Sequence, residues 1–473
     1  MPSDDDPGLP IKIGPCSNGE FVPRPASRFT REVARRTRLA AEHNARVLGM
    51  SRRQFLLSSM GAATMLTVLG ACSNDADEGS PGGTFSVDPE AQRDPRAAAE
   101  SIGGDEFVFD VQGHFLEYSH DFPGRAPAFP QSSCGEQDAK DCYSVDKFLD
   151  LIFNNSDTNM IVLSALPFSG SPLNPEVMAQ TIDIADRVCG DRRVLMQGEA
   201  HPSDGQLEVV LQNMSDLKGR YDIGAWKVYC HAGGPGWYLD DHDPEGAQVG
   251  NAFLEQAAAL GPPIVAVHKG FSAGSKYADP VDVGPAASAH PNLSFVVYHS
   301  GYDGDPEGPY EEGDRVGVNG FITSVKQADL GAGDNVYAEL GSTWKMVMGN
   351  PTEAAHVVGK LLATFGEDRV VWGTDSIWYG APQDQIQAFR SFQITSEFQE
   401  RFGYPELTPA IKAKILGLNS ASLYGVDPIT TKCEISSDDI EQMRLASADA
   451  NRTFGPTNAA EAMPLIASHR IAY

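Results

Sequence analysis

Apolar residues in this chain fall into short β-branched runs that stop at glycine. Ile264-Val265-Ala266-Val267 ends in His268, and Phe295-Val296-Val297-Tyr298 ends in His299; Gly270 and Gly301 follow them. Runs this short and this continuously apolar are buried parallel strands. The same grammar predicts eight strands, at residues 107–111, 160–166, 194–199, 224–229, 264–268, 294–299, 335–339 and 370–373. Helical periods lie between them, as at 175–189, 207–218 and 351–365, closed by Gly190, Gly219 and Gly366. The last carries Ala354, Val357, Val358, Leu361, Leu362 and Phe365 as an apolar stripe. Eight strand-then-helix units predict an α/β fold, a (β/α)8 TIM barrel over 105–427. Long loops at 117–141 and 231–250 follow strands one and four and belong at the top face, where His120, His231 and His242 are placed to line a pocket. Residues 428–473, with a polar helix at 437–448, form an extension packed on the barrel and a candidate oligomer contact.

The first 72 residues have another pattern. Arginines are dense from Arg24 to Arg53, and Ser51-Arg52-Arg53-Gln54-Phe55-Leu56-Leu57 leads into a small, apolar run ending Leu69-Gly70-Ala71-Cys72. This resembles a twin-arginine export signal closed by a lipoprotein box, too short in its apolar part for a stable membrane span. The resemblance implies cleavage before Cys72, a lipid on its sulfur, and a protein held at the outer face of the cytoplasmic membrane or in the periplasm. Met50 precedes the pair of arginines and is an alternative translation start. Residues 73–104, rich in Asp, Glu, Gly, Ser and Pro, read as a flexible acidic linker.

Composition narrows the partners. The net charge is -28, which argues against nucleic acid, whose phosphates need Lys and Arg. Cys134 and Cys142, eight apart in a polar loop, suit a disulfide in an exported setting. No Cys-x-x-Cys occurs, so a thiolate zinc cage is not supported.

The strand ends carry the chemistry. Strand one delivers His114, strand five His268, strand six His299 and strand eight Asp375. A lone histidine at a strand end is more often structural; four such groups in matching register are a catalytic metal set with a position left open for substrate or water.

On these residues, and on Gly373-Thr374-Asp375, His299-Ser300-Gly301 and the closing Ile415-Leu416-Gly417-Leu418-Asn419 to Asp427, the segment 105–427 resembles the amidohydrolase superfamily, in its branch of metal-dependent hydrolases and decarboxylases. The resemblance implies one divalent metal, zinc or manganese, with His114, His268 and Asp375 as ligands and His299 as the catalytic histidine. Asp375 also serves as a proton acceptor. Gln112 stands where the family has a histidine or glutamate, and is a weaker, neutral candidate ligand. Lys227 ends strand four, either as a cation for a substrate carboxylate or as an ordinary barrel-mouth lysine. Glu339 and His201 are further candidates to line the substrate site.

Such a site activates water against an amide, ester or lactone of a small molecule. Alternatively it protonates the carbon of an acid losing carbon dioxide. A metal-deficient binding lipoprotein, marked by Gln112, is the reading outside enzymes.

Overall fold

A computed structural model describes residues 7–118, 129–134, 137–167, 170–189, 192–232, 234–271, 274–431 and 435–471; His120 lies outside them. Eight parallel strands pair in chain order: β1 Phe109–Gly113, β2 Met160–Leu163, β3 Val194–Glu199, β4 Ile223–Tyr229, β5 Ile264–His268, β6 Ser294–Tyr298, β7 Val336–Glu339 and β8 Val370–Val371. The ring closes where Val111 N–H donates to Trp372 O (3.0 Å) and Asp375 N–H to Gln112 O (3.0 Å). The fold is a (β/α)8 barrel. The first strand begins two residues later than its apolar run suggests, because Phe107 is spent on the barrel floor with Val162, Val296 and Val371. The last strand is only two residues long, and Trp372 to Asp375 continue it as irregular chain.

The helix Pro351–Phe365 starts on an Asn350 cap and buries the predicted stripe. Cys134 and Cys142 are joined. The extension forms Ser437–Ala446 and Ala459–Ile471, and Phe454 between them is buried with its N–H on Trp378 O (2.8 Å).

The amino-terminal part packs on the barrel. Helix α1, Arg28–Leu48, is capped by Ser27 and turns Val33, Thr37, Ala41 and Ala45 inward, the spacing of one helical face. Ser51 and Gln54 of the arginine-pair motif form a reciprocal capping box that opens α2, Arg52–Leu57. Helix α3, Ser59–Ala76, follows. Phe55, Leu56, Met60, Met65, Leu66 and Leu69 are at most 5% exposed and share one core with Val358 and Leu361 of the barrel. Each such side chain contributes about 1.5–3 kcal/mol on burial, so these helices are part of the folded body. Cys72, the predicted lipidation site, is 4% exposed within α3. Among the described residues no helix is long and apolar enough to cross a membrane.

The 73–104 stretch carries a short strand and a helix. Gly83–Phe85 pairs antiparallel with Phe392–Ile394. Helix α4, Pro95–Ile102, is capped by Asp94 and buries Ala98 and Ile102. Small apolar residues at the right spacing suffice to dock it, despite the polar composition around them.

Residues 7–24 form a strap running over the barrel mouth. Lys12 is buried and paired with Asp384, its N–H donating to Asp384 Oδ2 (2.8 Å) and its ammonium to Ala381 O (2.8 Å). Ser17 N–H donates to Pro456 O (2.8 Å), so the carboxy-terminal extension clamps the strap from outside. Phe21 stacks on Phe271 with ring centroids 4.6 Å apart.

Candidate active site

Each strand end is held so that its polar group points into the mouth. His114 Nδ1 donates to Ser164 O (2.8 Å), since a carbonyl only accepts; its Nε2 is thereby turned inward, 3.3 Å from Asp375 Oδ1. His268 is its mirror: Nε2 donates to Gly270 O (3.1 Å), leaving the Nδ1 lone pair 3.7 Å from a carboxylate oxygen. Metal-ligating histidines are oriented this way, with the outer nitrogen fixed on a carbonyl. His299, Ser300 and Asp375 adopt left-handed backbone at φ 63°, 50° and 55°, a conformation that non-glycine residues keep only where the surroundings enforce it.

The carboxylate facing His268 is Glu20 of the strap, a residue outside the predicted set. Glu20, His268 and His299 place one ligand atom each within 4.8 Å of one another. Asn18, also on the strap, joins the two halves of the site, its Nδ2 donating to Glu20 Oε2 (2.6 Å) and to Asp375 Oδ2 (2.9 Å). Ser342 Oγ adds a bond to Asp375 Oδ2 (2.6 Å).

The predicted residues thus fall into two groups. His114, Gln112 and Asp375 meet on one side; His268 and His299 meet on the other, their rings 4.8 Å apart. Gln112 turns its amide nitrogen to His114 Nε2 (3.4 Å) and Asp375 Oδ1 (3.3 Å), leaving its oxygen without a hydrogen-bond partner. In this orientation it donates, and does not offer the oxygen of a ligand. Lys227 is buried over the rings of Tyr298 (3.9 Å) and Tyr229 (4.2 Å), with no hydrogen bond to its ammonium. Glu339 accepts the His299 N–H (2.8 Å). His201 lies 3.9 Å from Glu199. The ring of His231 packs on His268 (4.9 Å), whereas His242 is half-exposed and bonded to Asp240 (2.6 Å).

Burial sets the charges. It pushes the Glu20 carboxyl up to about 8, with Asp375 adding to the rise. Burial acts upward on Asp375 too, but the His114 contact and His299 outweigh it and the net direction is down. Burial holds His268 well below its ordinary range and brings His299 down to about 3, so both rings are neutral. It also lowers Lys227 to about 7, against the pull of Glu20, Asp375 and Glu339.

The donor set fits a divalent cation. Two inward imidazole nitrogens each face a carboxylate oxygen at 3.3–3.7 Å, close to the roughly 3.4 Å span between neighbouring ligands of a tetrahedral ion with bonds of about 2.1 Å. Opposed acceptors at that range need a cation or a proton between them. His299 has neither ring nitrogen hydrogen-bonded. Beside this lies a pocket walled by Leu116, Phe129, Leu166, Tyr229 and Trp378. Phe129 and Trp378 stack with centroids 4.2 Å apart and planes 9° off parallel.

Asn18 and Glu20 escape a strand-end reading because they sit on a turn in a polar segment. The signal present is Ser17-Asn18-Gly19-Glu20 itself, a turn sequence, set between the buried Ile11 and the inward face of α1.

Residues 217–426 match the amidohydrolase family model. The match includes Lys227, His268, His299, Glu339 and Asp375, and leaves Gln112, His114 and the strap outside it. No curated protein matches the chain. Among solved structures it is similar to apo IDCase from Metarhizium anisopliae, at 15% identity and TM-score 0.41 over 67% of this chain and 97% of that one. It is also similar to 5-carboxyvanillate decarboxylase from Sphingomonas paucimobilis, at 13% identity and TM-score 0.41 over 68% and 100%. A third is dihydroxybenzoic acid decarboxylase from Polaromonas sp. JS666, which holds manganese, at 11% identity and TM-score 0.39 over 68% and 97%. Identities this low leave the reaction to the geometry of the chain itself.

Proposed function

We propose that the chain is a metal-dependent hydrolase of the amidohydrolase type, acting on a C–N or C–O bond of a small molecule such as an amide, ester or lactone. One observation carries the reading: His114 and His268 each fix one ring nitrogen on a backbone carbonyl and turn the other inward against a carboxylate. His114, His268 and Asp375 would hold zinc or manganese. When bound, such an ion lowers the pKa of water towards neutrality and polarises a carbonyl.

The remaining work belongs to side chains. His299, neutral and without a hydrogen-bond partner on either ring nitrogen, accepts and returns a proton within the mouth. Its ring is fixed by Glu339, which holds its backbone N–H, and by Phe271 at 5.1 Å. Lys227 sits where its ammonium attracts an anionic substrate group. Leu116, Leu166 and the Phe129–Trp378 stack exclude water and strengthen the electrostatics inside.

A second reading, non-oxidative decarboxylation, is favoured by that flat aromatic wall beside a buried ammonium, a shape suited to a carboxylated ring. Turnover in ¹⁸O-labelled water separates the two. The hydrolase places solvent oxygen in its product; release of carbon dioxide from an acid without label in the organic product overturns hydrolysis in favour of decarboxylation. Ligand binding without turnover leaves a binding protein.

A further inference from the structure

We infer that Glu20, brought to the barrel mouth by the amino-terminal strap, is a protein ligand of the divalent ion and supplies the carboxylate that the first strand lacks. The inference rests on the metal-dependent reading above and adds to it a ligand from outside the barrel.

Four observations converge on Glu20. First, Gln112 leaves a gap: its amide nitrogen, not its oxygen, faces His114 and Asp375. A ligand must accept there, and this group donates. Second, Glu20 Oε1 lies 3.7 Å from the inward lone pair of His268, and shares the 4.8 Å sphere with His299. Third, the carboxylate is held in place. Asn18 Oδ1 receives the Glu20 N–H (3.0 Å) while Asn18 Nδ2 binds Oε2 (2.6 Å), which leaves Oε1 turned to the histidines. Gly19 permits the turn at φ +96°, and Ser17 Oγ, accepting the Gly19 N–H (3.0 Å), closes it. Fourth, charge balances. With Gln112 neutral, Asp375 is the single anion among the predicted ligands; Glu20 makes two carboxylates against a divalent ion, the pairing that a buried charge requires.

A pinned carboxylate costs little further ordering when the ion arrives. The strap that carries it is anchored at both ends, by the buried Lys12–Asp384 pair and by Phe21 stacked on Phe271.

The test uses the full chain. Affinity for Mn²⁺ and Zn²⁺ is measured by chelator competition, and metal content by elemental analysis, for the wild type, Glu20→Gln, Glu20→Asp and His268→Ala, with thermal unfolding run beside them. Changes to groups that merely orient a ligand cost about 10–100-fold in affinity; we expect Glu20→Gln to lose about 100-fold or more and Glu20→Asp to fall between it and the wild type. Wild-type affinity in folded Glu20→Gln, with the ion still lost in His268→Ala, overturns the inference and leaves the proposed function standing. A wild type that neither carries nor takes up an ion sinks the proposed function itself. Should Glu20→Gln fail to fold, Co²⁺-loaded wild type and Glu20→Asp are compared by visible absorption: shifted d–d bands support ligation by Glu20, and identical bands overturn it.

Discussion

The barrel and the amino-terminal segment answer differently to the same sequence rules. Barrel strands announce themselves, because a strand buried on both faces is apolar at every position and a strand-end histidine stands out against that background. The segment before residue 77 carries arginines, a small apolar run and a cysteine, the composition of an export signal. In the folded chain Ser51 and Gln54 cap a helix, Leu66 and Leu69 enter the core, and Asn18 and Glu20 reach the mouth. Composition is shared between a leader and a docked helical layer. What separates them is whether the barrel offers a matching apolar face, and that is a tertiary property.

Removing residues 1–71, as cleavage before Cys72 would, is the largest perturbation. It deletes Asn18 and Glu20 from the site and uncovers the apolar face that Phe55, Met65, Leu66 and Leu69 cover. The expected product aggregates and retains no tightly bound ion, read by light scattering and elemental analysis; a soluble, ion-loaded 72–473 chain would restore the leader reading.

Lys12→Ala comes next. It strands Asp384 without its partner in a buried site, which costs about 3–5 kcal/mol. Denaturant unfolding of the full chain reads the loss, and an effect below about 1 kcal/mol would show a strap that does not hold to the barrel.

The third test matches one leucine from each region. Leu66→Ala in α3 and Leu361→Ala in the barrel each remove a fully buried side chain, at about 2–5 kcal/mol. Both are expected to lower one cooperative transition. If Leu66→Ala leaves the barrel transition where it was, the two regions unfold separately and the amino-terminal helices are not part of the barrel's cooperative body.

The smallest effect at neutral pH is a titration. Burial brings Lys12 down to about 8 from its ordinary 10.5, against the pull of Asp384. The folded chain thus binds fewer protons than the unfolded one between those values. Stability gains as pH rises from 8 to 10.5, by about 3 kcal/mol at most, and the term is flat below 8. The difference between wild type and Lys12→Met should grow across that window and nowhere beneath it.

How much was legible follows from where each group sits. His114, His268, His299 and Asp375 close strands or their continuations, so their register could be read from apolar runs alone. The long loop after strand one gave its place but not Phe129, whose stacking on Trp378 depends on a side chain far along the chain. The orientation of Gln112 was beyond the sequence, since which end of an amide faces inward is decided by its neighbours. The helical face of Val33, Thr37, Ala41 and Ala45 was present at a regular spacing of four; arginines between these positions masked it. Asn18 and Glu20 had no period at all, and only the closed barrel mouth gives their turn a meaning.

Native mass spectrometry of the active protein, taken from its cells of origin, tests the central claim most directly because it reads the amino terminus and the bound ion together. The account predicts that the catalytically active species keeps residues 7–24 and carries one divalent ion. Active, ion-bearing chains that begin at Cys72 would contradict it.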